Sequence, residues 1–311
     1  VGLAALHTHK GSDPMTTSSP KQTINFVYRF SGYSKIVNSF VRPIIPYLPS
    51  YTISDKPRPN ALNVHFFIEK HEGGGVFLPH GLADKNYRKP ELLNNFDIIL
   101  LSGEAWKQKM ISQGIPAEKL IVAGYPKLDP VFQNLVPSPS PLVGKKLKVL
   151  WAPTHNAIQE VSSYPAFLKY VDELKECVNF VSAPHPAGNM NPVTLQDLVD
   201  ADVVLSDSSS LIYEAMALGK PVILLSWLVR DGIYKKFPNT FEEQLYRESI
   251  CYQANCFSDL VDWLTAKRNL LQFTPSMRKF ADGVFSERLH GISGKIIANI
   301  LGGLLNGSME R

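Results

Sequence analysis

Two histidines and a run of serines hold the residue types and spacings best suited to chemistry. His80 stands between Pro79, which fixes the approach of the chain, and Gly81, which lets the backbone turn or come close to a ligand. A neutral imidazole, with an unperturbed pKa of about 6.5, takes a proton from an attacking hydroxyl near neutral pH. His185 precedes Pro186, a pairing that favours an extended backbone and holds the ring at a strand end. From there it can donate to a phosphate oxygen or stabilise a leaving diphosphate. The run Ser206-Asp207-Ser208-Ser209-Ser210 opens a helical pattern. A helix start offers unpaired N–H groups, hydroxyls and the positive end of the helix dipole, which together suit a phosphate. Plain N-capping by Ser208 or Ser209 accounts for one serine, not three. Glu214, about a turn and a half on, faces the same mouth and suits ribose hydroxyls, with a solvated helix face as the alternative.

Other chemistries lack their patterns. There is no GxxxxGK loop and no GxSxG elbow, and Gly73-Gly74-Gly75 precedes a strand instead of following one. His7 with His9, and His65 with His71, lack the partner spacing of a metal motif. Cys177, Cys251 and Cys256 form no CxxC pair, which argues against a zinc site or a disulfide framework and for a reducing, cytoplasmic setting. The basic residues are dispersed, without a nucleic-acid recognition module.

The elements that must position these residues alternate. Strand patterns at 23–28, 76–78, 97–101 and 120–123, with a helix over 104–113 closed by Gly114, predict a first parallel α/β unit. The stiff stretch Pro137-Ser138-Pro139-Ser140-Pro141 reads as a linker. Strands at 148–152, 178–183, 203–206 and 222–225, with helices at 164–176, 193–201 and 209–218, predict a second unit. The expected division is a mobile segment 1–22, an acceptor-side Rossmann-like domain 23–136, a nucleotide-donor-binding Rossmann-like domain 142–285, and a C-terminal helix in 286–311 crossing back to the first domain. In parallel α/β sheets ligands sit beyond the carboxyl ends of the strands, where His80, Thr154, His185 and the serine run all fall.

With 44% apolar and 19% charged residues, the 311-residue chain can bury two cores, and its net charge of +4 suits handling of phosphates. Val1 to Leu6 lacks the basic lead of a signal peptide, and no apolar run approaches the roughly 20 residues of a membrane span. Tyr28 to Tyr51 mixes Arg29, Lys35 and Arg42 with Ile36, Val37, Phe40 and Ile44. That composition predicts an interfacial helix on the inner face of the cell membrane, with ordinary lobe core as the alternative. The stretch 263–280 is a second, weaker candidate.

In order along the chain stand His80-Gly81 with Lys85, Ser102-Gly103-Glu104, Gly124-Tyr125-Pro126-Lys127-Leu128-Asp129, Trp151-Ala152-Pro153-Thr154, His185-Pro186, the serine run, and Asp282-Gly283 with Arg288. This ordered set resembles the CDP-glycerol glycerophosphotransferase family, the transferases of teichoic acids and capsule polymers. The resemblance implies a GT-B architecture, two Rossmann-like domains facing a cleft. It implies a transferase that moves glycerol phosphate or a related polyol phosphate from CDP-glycerol to a lipid-linked or polymer acceptor, releasing CMP. It also implies His80 as base and His185 at the phosphates. Thr154, Asp207, Ser208, Ser209, Ser210 and Glu214 are then expected on the donor, and Gly81, Lys85 and Arg88 on phosphate or acceptor. Mg²⁺ stays open as a cofactor, since no carboxylate cluster demands it. The segment from Glu214 to Pro221 is equally similar to nucleotide-sugar glycosyltransferases and UDP-sugar 2-epimerases, so a GT-B glycosyltransferase using a nucleotide sugar is the alternative.

Overall fold

The computed structural model describes residues 23–28, 34–68, 73–139, 146–155, 159–183 and 194–308. Two all-parallel sheets organise the chain. The first lobe runs through β1 (Thr23–Val27), α1 (Ser34–Val41), β2 (Tyr51–Ser54), β3 (Ala61–His65), β4 (Val76–Phe77), α2 (Pro90–Leu93), β5 (Ile98–Leu101), α3 (Glu104–Ser112), β6 (Leu120–Val122) and α4 (Asp129–Phe132). Its strand order is β2-β1-β3-β4-β5-β6. The second lobe runs through β7 (Lys148–Ala152), α5 (Val171–Cys177), β8 (Asn179–Ser182), α6 (Leu195–Asp200), β9 (Val203–Ser206), α7 (Leu211–Ala217), β10 (Val222–Leu225), α8 (Ser226–Lys236), α9 (Phe241–Arg247), β11 (Tyr252–Ala254) and α10 (Phe257–Leu264). Its order is β11-β10-β9-β7-β8. Two further helices follow, α11 (Pro275–Val284) and α12 (Ser293–Asn306).

Both faces of the second sheet are buried, which explains its runs of Val, Ile and Leu without polar alternation. Val149 and Trp151 of β7, Val203 and Leu205 of β9, and Ile223 and Leu225 of β10 pack into one core with Phe167, Leu174 and Leu260. The intervening Leu150, Val204, Val222 and Leu224 join the larger core that continues into the first lobe.

The C-terminal helix packs on the first lobe. Ile297, Ala298, Ile300 and Leu301 are buried, and α12 packs on β1 and β3. Its start is held from the first lobe: the Asp129 carboxylate accepts from the backbone N–H groups of Ser293 (3.3 Å) and Gly294 (2.6 Å). Gly294 is required by contact, since a Cβ there would lie 2.1 Å from the Pro43 carbonyl oxygen. The crossing is pinned at α11 too. Ser102 donates to the Val284 carbonyl at 2.7 Å, and a Cβ on Gly103 would meet that carbonyl oxygen at 2.5 Å. The motifs around Ser102, Asp129 and Gly283 thus join the lobes.

Within the segment 28–51 the apolar face of α1 takes the alternative place, in the lobe core. Val37, Phe40, Val41 and Ile44 form part of the first lobe's core, so the apolar face of α1 is already covered. Lys35, on its other side, faces the cleft. Arg29, the segment 1–22, Ser140 and Pro141 of the linker stretch with residues 142–145 after it, and His185 with Pro186 lie outside the described residues. Among those described, no helix is long and apolar enough to cross a membrane.

Candidate active site

Register brings the second lobe's site together. Ala152 at the end of β7 lies opposite Ser206 at the end of β9, so Thr154 and the serine turn emerge side by side. Asp207 ties them. Its buried carboxylate accepts from the N–H groups of Thr154 (2.8 Å) and Ser208 (2.5 Å) through Oδ1. Oδ2 accepts from the Ser163 N–H (2.6 Å) and hydroxyl (2.8 Å). Those four bonds occupy Asp207 in shaping the turn. Ser208 is also buried, its hydroxyl donating to the Val161 carbonyl at 3.0 Å. Of the serine run, Ser209 and Ser210 reach the cavity wall. Ser210 is the N-cap of α7 yet makes no side-chain capping bond, so capping does not account for its hydroxyl.

From the first lobe comes the loop after β4. A Cβ on Gly81 would lie 3.0 Å from Ser210 Oγ, so glycine allows the histidine loop to close against the serine turn. His80 stacks on Phe67 with ring centroids 4.1 Å apart. Its Nδ1 lies 2.6 Å from the Phe66 carbonyl oxygen, and since a carbonyl only accepts, Nδ1 carries the hydrogen. The lone pair then belongs to Nε2. Burial lowers the His80 pKa to about 4, and the positive charge of Lys127 pushes the same way. The ring is therefore neutral at neutral pH.

His80, Thr154, Ser209 and Ser210 share one interlobe cavity of about 250 Å³. Lys35, Lys85 and Lys127 also line it, and no carboxylate does among the described residues. Such a wall favours an anion. Lys85 spends its ammonium on the second lobe, donating to Thr154 Oγ1 (2.7 Å), Ser208 O (2.5 Å) and Ser208 Oγ (2.6 Å). Burial lowers its pKa, against the nearby charges of Glu242 and Asp207.

Two expected contacts are arranged differently. Glu214 is buried, and its carboxylate accepts from the Tyr125 hydroxyl at 2.8 Å and from Lys127 Nζ at 2.7 and 2.8 Å. It joins the lobes in place of an open ribose site. Arg88 is outside the cavity lining, donating to the Lys236 carbonyl at 2.7 Å over the Phe237 ring.

Sequence reasoning passed over Lys35, Lys127, His155 and Thr194, all on the cavity wall. Lys127 had a signal, its place inside the Gly124 to Asp129 motif, whereas Lys35 was read within an amphipathic segment. Among the described residues no group of three or more His, Cys, Asp or Glu side chains is placed to hold a metal ion.

No family model matches the chain, and no curated protein sequence matches it. Solved structures do. The chain is 14% identical to the wall teichoic acid polymerase TagF, with a TM-score of 0.64 over 94% of this chain and 91% of that one. It is 13% identical to S. aureus MnaA in complex with UDP, with a TM-score of 0.57 over 92% and 97%. UDP-GlcNAc 2-epimerase from Neisseria meningitidis bound to UDP-GlcNAc gives 14% identity and a TM-score of 0.51 over 90% and 98%. At such identities the likeness establishes the fold: two α/β domains of the GT-B type.

Proposed function

We propose that the chain is a transferase that moves a polyol phosphate from a cytidine diphosphate donor, CDP-glycerol or a close relative, onto a hydroxyl of a surface-polymer acceptor. The observation that carries this reading is the interlobe cavity, where a neutral histidine, a serine turn and three lysines meet with no carboxylate on the wall among the described residues, Glu214 being paired to Lys127 off the wall. The likeness to a teichoic acid polymerase, one of whose structures was obtained after a CDPG soak, supports it.

In the reaction the acceptor oxygen attacks the β-phosphorus in line and the bond from that phosphorus to the CMP oxygen breaks. The acceptor's proton passes to His80 Nε2. Lys127, Lys35 and the hydroxyls of Ser209 and Ser210 offset the charge that develops on the diphosphate. A dianionic donor in the cavity opposes the burial and the Lys127 charge that depress His80, so the base strengthens when substrate arrives. His185 is assigned to the leaving phosphate on sequence grounds, Thr154 to the donor, and Gly81 to close approach. A Mg²⁺ ion would supply further charge compensation for the diphosphate, with no carboxylate among the described cavity residues placed to hold it.

Release of CMP from CDP-glycerol and CDP-ribitol, and of UDP or GDP from UDP- and GDP-sugars, each with and without extracted membrane acceptors, tests the reading. Turnover of a CDP-polyol is expected. Turnover confined to a UDP- or GDP-sugar would replace it with the glycosyltransferase reading, which the likeness to UDP-bound relatives favours.

A further inference from the structure

Beside the cavity the lobes are joined by a second device. The short 3-10 turn Asp84–Asn86 of the first lobe meets the N-terminus of α9 in the second. Asp84 Oδ2 accepts from the first N–H of α9, that of Phe241, at 2.7 Å. Glu242 answers from α9, its Oε1 accepting from the Asp84 N–H (2.8 Å) and its Oε2 from the Lys85 N–H (3.1 Å). Each lobe thus supplies the carboxylate that caps the helical start of the other. Both side chains are fully buried. Lys109 Nζ at 2.8 Å from Asp84, and the Tyr213 hydroxyl at 2.8 Å from Glu242, complete the contact.

Lys85 lies inside this clasp. An ammonium has three hydrogens, and all three of its short bonds go to Thr154 and Ser208. Ser208 in turn precedes the two serines of the cavity wall. A change in lobe separation therefore moves the Lys85 charge and releases the serine turn together.

We infer that Asp84 and Glu242 are positioning residues, whose reciprocal capping across the cleft fixes the lobe separation at which Lys85 braces the serine turn for the donor diphosphate. The donor in this statement rests on the proposed function; the effect on lobe separation does not.

Distances between nitroxides on the exposed Cys256 of the second lobe and on Gln108→Cys of the first, in a Cys177→Ser background, read the separation without substrate. CMP affinity of the same proteins is measured by calorimetry. Glu242→Ala is expected to lengthen and broaden the distances and to weaken CMP by about tenfold, the scale of one charge-assisted hydrogen bond. Glu242→Gln keeps the Oε1 acceptor and should fall between Glu242→Ala and the native protein. Glu248→Gln, an exposed carboxylate at the far end of α9, should behave as native. Native distances in folded Glu242→Ala and Asp84→Ala would overturn the inference. Where those variants do not fold, native distances in both Glu242→Gln and Asp84→Asn overturn it equally. Failure of the native protein to bind CMP or turn over any CDP-polyol would instead overturn the proposed function, and the distance result would stand by itself.

Discussion

His80 is held in one tautomer by a backbone carbonyl and kept neutral by burial, so its role is tied to Nε2 and to a low pKa. His80→Ala should lower turnover by about 10²-fold or more, the usual scale for general base catalysis, with little change in donor affinity. If affinity collapses while bound donor still turns over, the base lies elsewhere. The acid limb of kcat/KM should fall near 4, because protonation below that value removes the base from the free enzyme. The acid limb of kcat should lie higher, because the bound donor's negative charge raises the histidine. Replacing Ser209 and Ser210 together with alanine should weaken CMP by roughly 1–3 kcal/mol, since the backbone N–H groups remain. Unchanged calorimetric affinity would remove this turn from the site. The placement of His80, Ser209 and Ser210 at the cavity was legible in the sequence because Pro, Gly and serine density mark a strand end and a helix start locally. Glu242 was not. It lies in Thr240-Phe241-Glu242-Glu243, where the Thr240 side chain accepts from the Glu243 N–H, and such an N-cap makes its neighbours read as solvated first-turn carboxylates. Its first-lobe partners, Asp84 and Lys85, are more than 150 residues away in sequence.

At the scale of elements, the joints at Gly103 and Gly294 are backbone contacts that tolerate no added atom. Gly103→Ala would drive a Cβ into the Val284 carbonyl, at 2.5 Å, and neither partner is a flexible side chain. A loss of about 1–3 kcal/mol is expected in chemical denaturation, the usual cost of overpacking. Asp129→Ala leaves the buried start of α12 uncapped, so hydrogen exchange should quicken across 293–306 before it does in β1 or β3. Equal protection in variant and native protein would show that Asp129 is not what holds α12 down. In the second sheet β7 to β10 were readable from their apolar residues, whereas β11, Tyr252-Gln253-Ala254, was not. In the first sheet β2 and β3 were not: β2 is an edge strand with Tyr51 and Ile53 exposed, and Asn63 interrupts β3 to bond the buried Asn25 at 2.9 Å. Pairing that depends on a polar contact leaves no hydrophobic period to detect.

Across the whole molecule, buried ionisable groups with opposite linkage share one interface. Burial and the charge of Asp84 raise Glu242 to about 7, against the pull of Lys85. A group raised in the folded state contributes stability that is complete below its ordinary 4.5 and is lost as pH rises through about 7. His80 runs the other way: lowered to about 4, it contributes stability that is complete above its ordinary 6.5 and is lost as pH falls toward 4. His155 and His290, both lowered by burial, add to the histidine side. Between 4.5 and 6.5 the two slopes oppose, so the native protein should lose little stability on moderate acidification. Glu242→Gln removes one slope and leaves the other. Thermal unfolding at pH 7 and pH 5 reads the difference: the variant should lose at least roughly 2 °C more than the native protein over that interval, the shift expected for about 1 kcal/mol in a chain with lobes of this size. The comparison uses the change between the two pH values, so a uniform cost of removing the interlobe bonds cancels. An equal loss in both proteins would mean that Glu242 is ionised in the folded state throughout this range, and that the clasp holds the lobes together as a fully charged network.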